Sequence, residues 1–357
     1  MHKKLFIPGP VEVREDVLAG MAQPMIGHRT KAASALQKGI SDKLRKLMYT
    51  ENEMILSTSS GSGLMEGAVR SCTGKRAAVF SIGAFGDRWY KMAQANNVPA
   101  DCFKAELGQA TLPEEVDKAL QGGMYDVVCI THNETATGVT NPVYDIADVM
   151  KKYPEVVWCL DAVSSLGGAK IEVDKLGVDV CITSTQKCLG LPPGMSIASV
   201  SEKAYLNAQK VKFRGLYFDL VELYKFVTER DHQYPSTPSL SHMFALDHQL
   251  DRIMEEGPEV RFERHAKMAE MVRSWAGLNF ALYSNEKYLS DTVTCITNTR
   301  EISFAELNKA LGERGYMISN GYGALKDKTF RIAHMADTTP KDIRELLTVI
   351  DEVLTEM

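Results

Sequence analysis

Val178-Asp179-Val180-Cys181-Ile182 is an apolar run that is followed, five residues on, by Lys187 within Ser184-Thr185-Gln186-Lys187-Cys188-Leu189-Gly190. The run predicts a buried strand with a lysine just beyond its C-terminal end. A second such run, Val156-Val157-Trp158-Cys159-Leu160, ends at Asp161. A pyridoxal phosphate enzyme needs such a pair, because the lysine forms a Schiff base with the cofactor and the acid pairs with its pyridine nitrogen. For Lys187 taken alone, the alternative is a solvated loop lysine.

The composition is typical of a globular protein inside the cell. The 357 residues are 45% hydrophobic and 24% charged, which is enough for about two domains with a sizeable core. The net charge of −5, with no basic stripe, argues against nucleic acid as a partner. No signal peptide and no run of the roughly 20 apolar residues that span a membrane is apparent. The seven scattered cysteines favour reduced thiols and a cytoplasmic location.

Short apolar runs alternate with helical periods up to about residue 201. Strands are predicted at 53–57, 77–82, 98–103, 125–131, 155–161, 178–183 and 196–200, and helices at 62–72, 86–96, 113–122 and 142–153. This alternation predicts an α/β fold, in which a mostly parallel central sheet carries helices on both faces.

The second half of the chain has a different pattern. Residues 202–232 predict charged helix, and 239–275 predict a long helix that is interrupted near Gly257-Pro258. The tail then predicts two strands, a helix at 303–314, a strand at 329–334 and a helix at 340–356, which together form a small α+β unit. We therefore expect an N-terminal segment (1–15), a large α/β domain (16–257) and a small C-terminal α+β domain (258–357).

Three further segments follow predicted strands. Ser57-Thr58-Ser59-Ser60-Gly61-Ser62-Gly63 suits a phosphate, because glycines let backbone N–H groups approach an anion at a helix N-terminus; the alternative is a small-residue turn. Gly83-Ala84-Phe85-Gly86-Asp87-Arg88 offers an aromatic ring that could stack on a flat cofactor or lie in the core. Thr131-His132-Asn133-Glu134-Thr135 clusters polar donors where an ordinary loop is expected. The histidines lack metal-site spacing.

The common position of these groups is what favours a cofactor site. Each follows the C-terminal end of a predicted strand, and open parallel sheets bind their ligands outside that edge. Independent solvated loops would not be expected to bring a phosphate cradle, an aromatic ring, an acid and a lysine to one edge. The residues therefore predict a pyridoxal phosphate site before any family is considered.

These motifs resemble the class V aminotransferases, in the alanine–glyoxylate and serine–pyruvate branch. The similarity covers nearly the whole chain, and the segments around Asp161 and Lys187 are its most specific parts. The matching segments are Pro8-Gly9-Pro10, Gly27-His28-Arg29, Ser60-Gly61-Ser62, Thr131–Gly138, Asp161–Gly168, Ser184-Thr185-Gln186-Lys187, Pro192-Pro193-Gly194, Tyr234-Pro235-Ser236-Thr237-Pro238 and Phe330-Arg331-Ile332. Histidine is common in related mammalian-type enzymes at the place of Ser62, and tryptophan at that of Phe85, which leaves assignment to one enzyme open.

The resemblance implies a role for each matching site residue. Lys187 would be the Schiff-base lysine and Asp161 the partner of the pyridine nitrogen, with Val163 and Phe85 on opposite faces of the ring. Thr135 would reach the phenolic oxygen, and Arg331 would bind the substrate carboxylate. The phosphate would be held by Ser60, Gly61, Ser62 and Gln186, together with Tyr234 and Thr237 from the neighbouring subunit, which implies a homodimer with shared active sites.

The resemblance implies a fold-type I enzyme that transfers an amino group by a ping-pong mechanism. The expected donors are alanine or serine, and the expected acceptors are glyoxylate or pyruvate. Aspartate, ureidoglycine or 2-aminoethylphosphonate as donor is an alternative within the class. A pyridoxal phosphate lyase such as a cysteine desulfurase is a second, although Cys188 is more plausible as a packed residue than as a mobile nucleophile. A non-catalytic binding protein on the same scaffold is the third.

Overall fold

The structure is a computed structural model that describes residues 2–357. Its strands are β1 (Lys4–Phe6), β2 (Glu53–Ser57), β3 (Ala77–Ser81), β4 (Ala100–Lys104), β5 (Val127–Thr131), β6 (Asn133–Glu134), β7 (Val139–Thr140), β8 (Val157–Asp161), β9 (Val180–Ser184), β10 (Ser196–Val200), β11 (Ala281–Leu282), β12 (Val293–Thr297), β13 (Tyr316–Asn320) and β14 (Thr329–Ala333).

The helices are α1 (Glu15–Gly20), α2 (Lys31–Met48), α3 (Gly61–Cys72), α4 (Gly86–Ala95), α5 (Pro113–Leu120), α6 (Val143–Met150), α7 (Val173–Leu176), α8 (Glu202–Ala208), α9 (Leu220–Thr228), α10 (Leu240–Glu256), α11 (Pro258–Asn279), α12 (Phe304–Glu313) and α13 (Pro340–Glu356). Two short 3₁₀ helices lie at Glu286–Tyr288 and Gly323–Leu325. None of the helices in residues 2–357 is both long and apolar enough to cross a membrane.

A seven-stranded sheet with the order β2-β10-β9-β8-β5-β3-β4 forms the centre of the fold. Strands β9, β8, β5, β3 and β4 run parallel, whereas β10 is antiparallel to both of its neighbours. The predicted α/β class with a mostly parallel sheet flanked by helices is therefore confirmed. All five residues of β5, β8 and β9 are buried, in agreement with the continuous apolar runs that parallel strands covered on both sides require.

The pairing register brings the strand ends together. Ser57 at the end of β2 and Ser184 at the end of β9 both lie opposite Ser196, the first residue of the antiparallel β10. Thr131 at the end of β5 pairs with Asp161 at the end of β8. The loops after these strands consequently leave the sheet at one edge, which fixes where the candidate site lies.

A second sheet of five strands, in the order β1-β13-β14-β12-β11, lies in the C-terminal part of the chain. Its apolar cluster is built from residues 268–354 together with Phe6, while the larger cluster runs from Val17 to Phe262. Phe6 joins the second cluster because β1 pairs in parallel with β13, Lys4 opposite Tyr316. The boundary at residue 257 stays a prediction, but β1 ties the N-terminal segment to the C-terminal sheet.

Several elements differ from the sequence-based expectations. Strand β13 and helices α1 and α2 were not predicted, since β13 ends in the polar Ser319 and Asn320 and the first fifty residues lack clear strand–helix alternation. The charged helix expected at 202–232 is two helices, α8 and α9. The intervening residues 209–219 are not helical and include two left-handed backbone angles, a φ of 58° at Phe213 and of 84° at Gly215, values that interrupt a helix and that glycine adopts most easily. The loop expected after Thr131 instead forms the β6–β7 hairpin.

Candidate active site

Lys187 lies in the turn after β9 and is half-buried. Its Nζ donates a hydrogen bond to the carbonyl oxygen of Pro8. Gly9 packs so closely that a Cβ atom there would lie 2.6 Å from Nζ, so the segment Pro8-Gly9-Pro10 covers the lysine. Burial lowers the pKa of Lys187 to about 8, because removal from water disfavours the ammonium form. A minor neutral fraction, much larger than that of an ordinary lysine, is therefore available for nucleophilic or base chemistry near neutral pH.

Asp161 is the last residue of β8 and is 4% exposed. Its carboxylate accepts a hydrogen bond from the Val163 backbone N–H at 2.9 Å and a longer one from the Thr131 hydroxyl at 3.4 Å. Burial raises its pKa to about 6, while the positive charges of Arg88 and Lys187 act in the opposite direction. No ion pair within residues 2–357 neutralises this acid, and a buried carboxylate in that state is stabilised by a cationic partner.

The N-terminus of α3 forms a cradle of small residues. Ser60 is the N-cap residue, and its side chain makes no capping hydrogen bond. A Cβ atom on Gly61 would lie 2.5 Å from the Val163 side chain and 3.6 Å from the Ser184 hydroxyl, so only glycine fits there. The Ser184 hydroxyl is buried and has no hydrogen-bond partner in the described chain, and neither does the side-chain oxygen of Gln186.

These features fit a bound pyridoxal phosphate. Helix N-termini attract phosphate through unpaired backbone N–H groups and the helix dipole, and α3 presents such an end beside the unsatisfied Ser184 hydroxyl. The unsatisfied Gln186 oxygen lies two residues further along the chain. The buried Asp161 provides an acceptor for a protonated ring nitrogen. Ser60, Gly61, Ser62 and Gln186 are thus suited to hold the phosphate, with Asp161 and Lys187 suited to the ring.

Phe85 is the residue just before α4, and its position is fixed by Glu134. One oxygen of the Glu134 carboxylate accepts hydrogen bonds from the Phe85 and Gly86 N–H groups at 2.9 and 3.2 Å, and the other accepts from Ala136 at 3.0 Å. Glu134 is fully buried, and burial raises its pKa to about 7. The Glu134 carboxylate thereby links the loop that carries Phe85, the predicted ring-stacking residue, to the turn that contains Thr135.

Arg331 projects from β14 and is 7% exposed. Its Nε and Nη2 atoms donate to the carbonyl oxygen of Asn320 at 3.1 and 3.0 Å, and Nη1 donates to that of Thr135 at 3.0 Å. Within residues 2–357 it forms no ion pair with an Asp or Glu side chain. The backbone contacts hold the guanidinium in place without neutralising its charge, so it remains available to an anion.

Tyr234 and Thr237 differ in their surroundings. Tyr234 is buried in its own chain, where its hydroxyl accepts a hydrogen bond from the Leu56 N–H at 3.0 Å, while Thr237 is exposed. Arg29 donates to the carbonyl oxygens of Tyr234 and Pro235. The role predicted for both residues, contact with a neighbouring subunit's phosphate, remains a prediction, and Arg29 acts in this chain as a tether for their segment.

Sequence reasoning missed four residues that touch or support this site. Pro8 contacts Lys187, Glu134 fixes Phe85, and Arg88 donates from Nη1 to the Ser62 hydroxyl at 2.9 Å. Tyr322 is the fourth, with its ring centroid 5.6 Å from that of Phe85. The motifs around Pro8, Glu134 and Arg88 were visible in the sequence, but only the structure shows which distant residues these three contact.

Comparison with known proteins assigns the chain to a family. The sequence model for aminotransferase class-V matches residues 15–346. An uncharacterized aminotransferase of Methanocaldococcus jannaschii is 36% identical, over 100% of this chain and 94% of the relative. The serine–glyoxylate aminotransferase of Arabidopsis thaliana is 31% identical, over 99% of this chain and 90% of the relative. The crystal structure of alanine–glyoxylate aminotransferase from Nostoc sp. matches with a TM-score of 0.93 at 26% identity, covering 99% of this chain and 96% of that one.

The family match gives the class of substrates and the cofactor. Amino acids and 2-oxo acids are the substrates of such enzymes, and the cofactor is the one that the strand-end residues predicted. This chain therefore belongs to the class-V aminotransferase family and is a transaminase that uses pyridoxal phosphate.

Proposed function

We propose that the protein transfers an amino group from alanine or serine to glyoxylate or pyruvate by a ping-pong mechanism. The observation that carries this proposal is that Arg331 keeps unused hydrogen-bond donors and has no acidic partner among the described residues. A guanidinium has five N–H donors, and three hydrogen bonds to backbone carbonyls engage three of them. One donor is left on each terminal nitrogen. Two donors on one planar group match the two oxygens of a carboxylate.

The cofactor, when bound, accepts the electron pair that is left on the substrate α-carbon. The residues of this chain prepare the other parts of the reaction. With the cofactor bound, Arg331 would bind the α-carboxylate, and Asp161 as an anion would hold a proton on the ring nitrogen. Lys187, whose pKa of about 8 leaves part of it neutral, would be the base that carries the proton removed from the α-carbon. A base with a pKa near the working pH is suited to this proton transfer.

The choice of a small donor and of glyoxylate is supported by two relatives. The Arabidopsis enzyme is named for serine and glyoxylate, and the Nostoc structure for alanine and glyoxylate. Aspartate, ureidoglycine and 2-aminoethylphosphonate remain alternative donors of the same class. A desulfurase reaction is disfavoured, because the Cys188 thiol is fully buried and burial raises its pKa to about 11, so little nucleophilic thiolate forms.

We further propose a cytoplasmic homodimer with shared sites that binds neither nucleic acid nor membrane. Thr237 is exposed, and Tyr217, which is half exposed, lines a cavity with the segment 234–238. Phe213 and Leu216, close by in the sequence, are 93% and 85% exposed. Apolar side chains this exposed are typical of an interface with another chain. The seven cysteines are all free thiols, which suits a reducing compartment.

A half-reaction screen tests the proposed substrates. Single amino acids are added to the cofactor-loaded protein, and loss of the long-wavelength cofactor absorbance reports amino transfer. We expect alanine or serine to react fastest, and glyoxylate or pyruvate to restore the absorbance. Fastest reaction with aspartate, ureidoglycine or 2-aminoethylphosphonate would replace the donor assignment, and no reaction with any amino acid would favour a binding protein on this scaffold.

A further inference from the structure

Tyr322 contacts both Phe85, the predicted ring-stacking residue, and Arg331, which binds the substrate carboxylate in the proposed function. Its ring centroid is 5.6 Å from that of Phe85, with the planes tilted by 32°. The guanidinium carbon of Arg331 is also 5.6 Å from the centre of the Tyr322 ring. The ring therefore contacts one residue from the loop after β3 of the large sheet and one from β14 of the C-terminal sheet.

The loop that carries Tyr322 is fixed at its base. Arg331 itself donates twice to the carbonyl oxygen of Asn320, two residues earlier. The Asn320 side chain accepts from the Asp327 N–H at 2.9 Å and donates to the Asp327 carboxylate at 2.7 Å. A Cβ atom on Gly321 would lie 2.0 Å from the carbonyl oxygen of Leu325, so the turn is tight. Tyr322 is thus a positioned side chain, although 41% of it is exposed.

The hydroxyl of Tyr322 makes no hydrogen bond to any residue from 2 to 357, whereas its ring makes both contacts. With 41% of the side chain exposed, the hydroxyl is open to solvent, and the contacts that Tyr322 makes within the protein are those of its ring. What this position contributes is therefore the bulk and the face of an aromatic ring. The cation–π contact also helps to orient Arg331 without neutralising it.

We propose that Tyr322 is a specificity-determining residue, whose ring limits the length of the donor side chain. The inference rests on the proposed function. A donor with its carboxylate on Arg331 and its α-carbon at the cofactor ring, on which Phe85 is predicted to stack, would lie beside the Tyr322 ring, which contacts both residues. A methyl or hydroxymethyl group fits in the remaining space, and each further methylene meets the ring. Aspartate and longer donors are thereby excluded sterically rather than by charge.

The test compares donors of increasing length. Rates of the first half-reaction are measured for alanine, 2-aminobutyrate, norvaline and norleucine with wild type, Tyr322→Ala, Tyr322→Phe and Tyr322→Trp. Tyr322→Ala should raise the norvaline-to-alanine ratio of kcat/KM by about 10-fold or more, since one methylene in a pocket changes discrimination by roughly 10- to 200-fold. Tyr322→Phe should keep the wild-type ratio, and Tyr322→Trp should lower the 2-aminobutyrate-to-alanine ratio.

Binding without turnover gives a second measurement. Propionate, butyrate, valerate and hexanoate are added to the loaded protein, and the increase in Tm reports their binding. Longer acids should raise the Tm of Tyr322→Ala more than that of wild type. The matched control is Tyr144→Ala, since Tyr144 is 40% exposed and its ring lies 5.5 Å from Lys175, outside the site. This control should change neither measurement.

Three results would overturn the proposal. The first is an equal loss of rate for all donors in Tyr322→Ala, and the second is a ratio of kcat/KM between longer donors and alanine that stays within threefold of wild type in both Tyr322→Ala and Tyr322→Trp. The third is the same change in these ratios in the Tyr144→Ala control. A wrong assignment of the proposed function would give a different result from a wrong assignment of Tyr322. Wild type would then react with neither alanine nor serine, while the length series could still be measured from the smallest donor that it does use.

Discussion

Arg331→Lys is the most informative single change, because the two interpretations of this residue predict opposite results. An ammonium has three donors where the guanidinium has five. Two of the three would be needed for the carbonyl oxygens of Asn320 and Thr135, which now receive three hydrogen bonds from Arg331. One donor would remain for a substrate carboxylate, and the planar two-point match would be lost.

The expected loss of kcat/KM follows from this number of hydrogen-bond donors. Hydrogen bonds to charged groups contribute about 1.5–3 kcal/mol each, and the site is buried enough to favour the upper end. Loss of one such bond, with poorer alignment of the other, costs about 3 kcal/mol of transition-state stabilisation. This corresponds to a decrease of roughly 10²-fold in kcat/KM. Because amino acid and oxo acid share the carboxylate, KM should rise for both substrates.

The assay combines steady-state kinetics with cofactor absorbance and Tm. In the variant, absorbance and Tm should stay close to wild type, since Arg331 forms no ion pair whose loss would destabilise the chain. The matched control is Arg300→Lys, because Arg300 is exposed and its guanidinium contacts the face of Phe280. The control should keep wild-type KM values. A lower Tm for Arg331→Lys with unchanged KM for every carboxylate would refute the reasoning and make Arg331 a structural residue.

Four further predictions concern the other site residues. Lys187→Ala should abolish turnover, and borohydride reduction of the loaded wild type should attach the pyridoxyl group at Lys187; attachment at another lysine would contradict the assignment. In the cofactor-free protein, competitive acetylation should titrate Lys187 near pH 8, whereas Lys104, whose pKa is raised by its hydrogen bond to Asp87, should titrate above the ordinary range. Hybrids of Lys187→Ala with a Tyr234→Phe, Thr237→Ala double variant should be more active than either parent if sites are shared, and no gain after proven subunit exchange would argue against it. Burial raises the pKa of Glu134 from 4.5 to about 7, so the protonated form of Glu134 contributes to folding stability in full below pH 4.5. This contribution declines as the pH rises through 7, by up to about 3 kcal/mol. Between pH 5 and 8 the Tm of Glu134→Gln should therefore fall less than that of wild type, and an equal fall would refute this.

The strand ends of the large sheet could be predicted from the sequence because they depend on local pattern. Buried parallel strands read as continuous apolar runs, so the positions of Asp161 and Lys187 followed from where those runs stop. The shared edge followed from topology, since parallel strands end on the same side. The segment around Ser60 was found in the same way, as small residues between a strand and a helix.

The parts that could not be predicted depend on contacts between residues far apart in the chain. Pro8 meets Lys187 across 179 positions, and Arg29 holds Tyr234 across 205. Strand β1 was missed because three residues carry no usable period, and its partner β13 lies near the other end of the chain. Tyr322 gave no local signal, since a tyrosine between glycines is typical of an ordinary exposed turn.

Glu134 shows why a correctly located motif can still be misinterpreted. The cluster from Thr131 to Thr135 indicated donors for a ligand, yet the structure directs the Glu134 carboxylate away from that role, toward three backbone N–H groups. The Glu134 carboxyl group packs against Gly83. A Cβ atom at position 83 would lie 2.7 Å from the carboxyl carbon, so a larger residue would not fit. A buried acid is costly unless it is hydrogen-bonded, and the three hydrogen bonds that compensate Glu134 also hold Phe85 and the turn containing Thr135 in position. If Tyr322 sets the length of the donor side chain, substrate choice can change there while Glu134 still holds Phe85, and the carbonyl oxygens of Asn320 and Thr135 still hold Arg331.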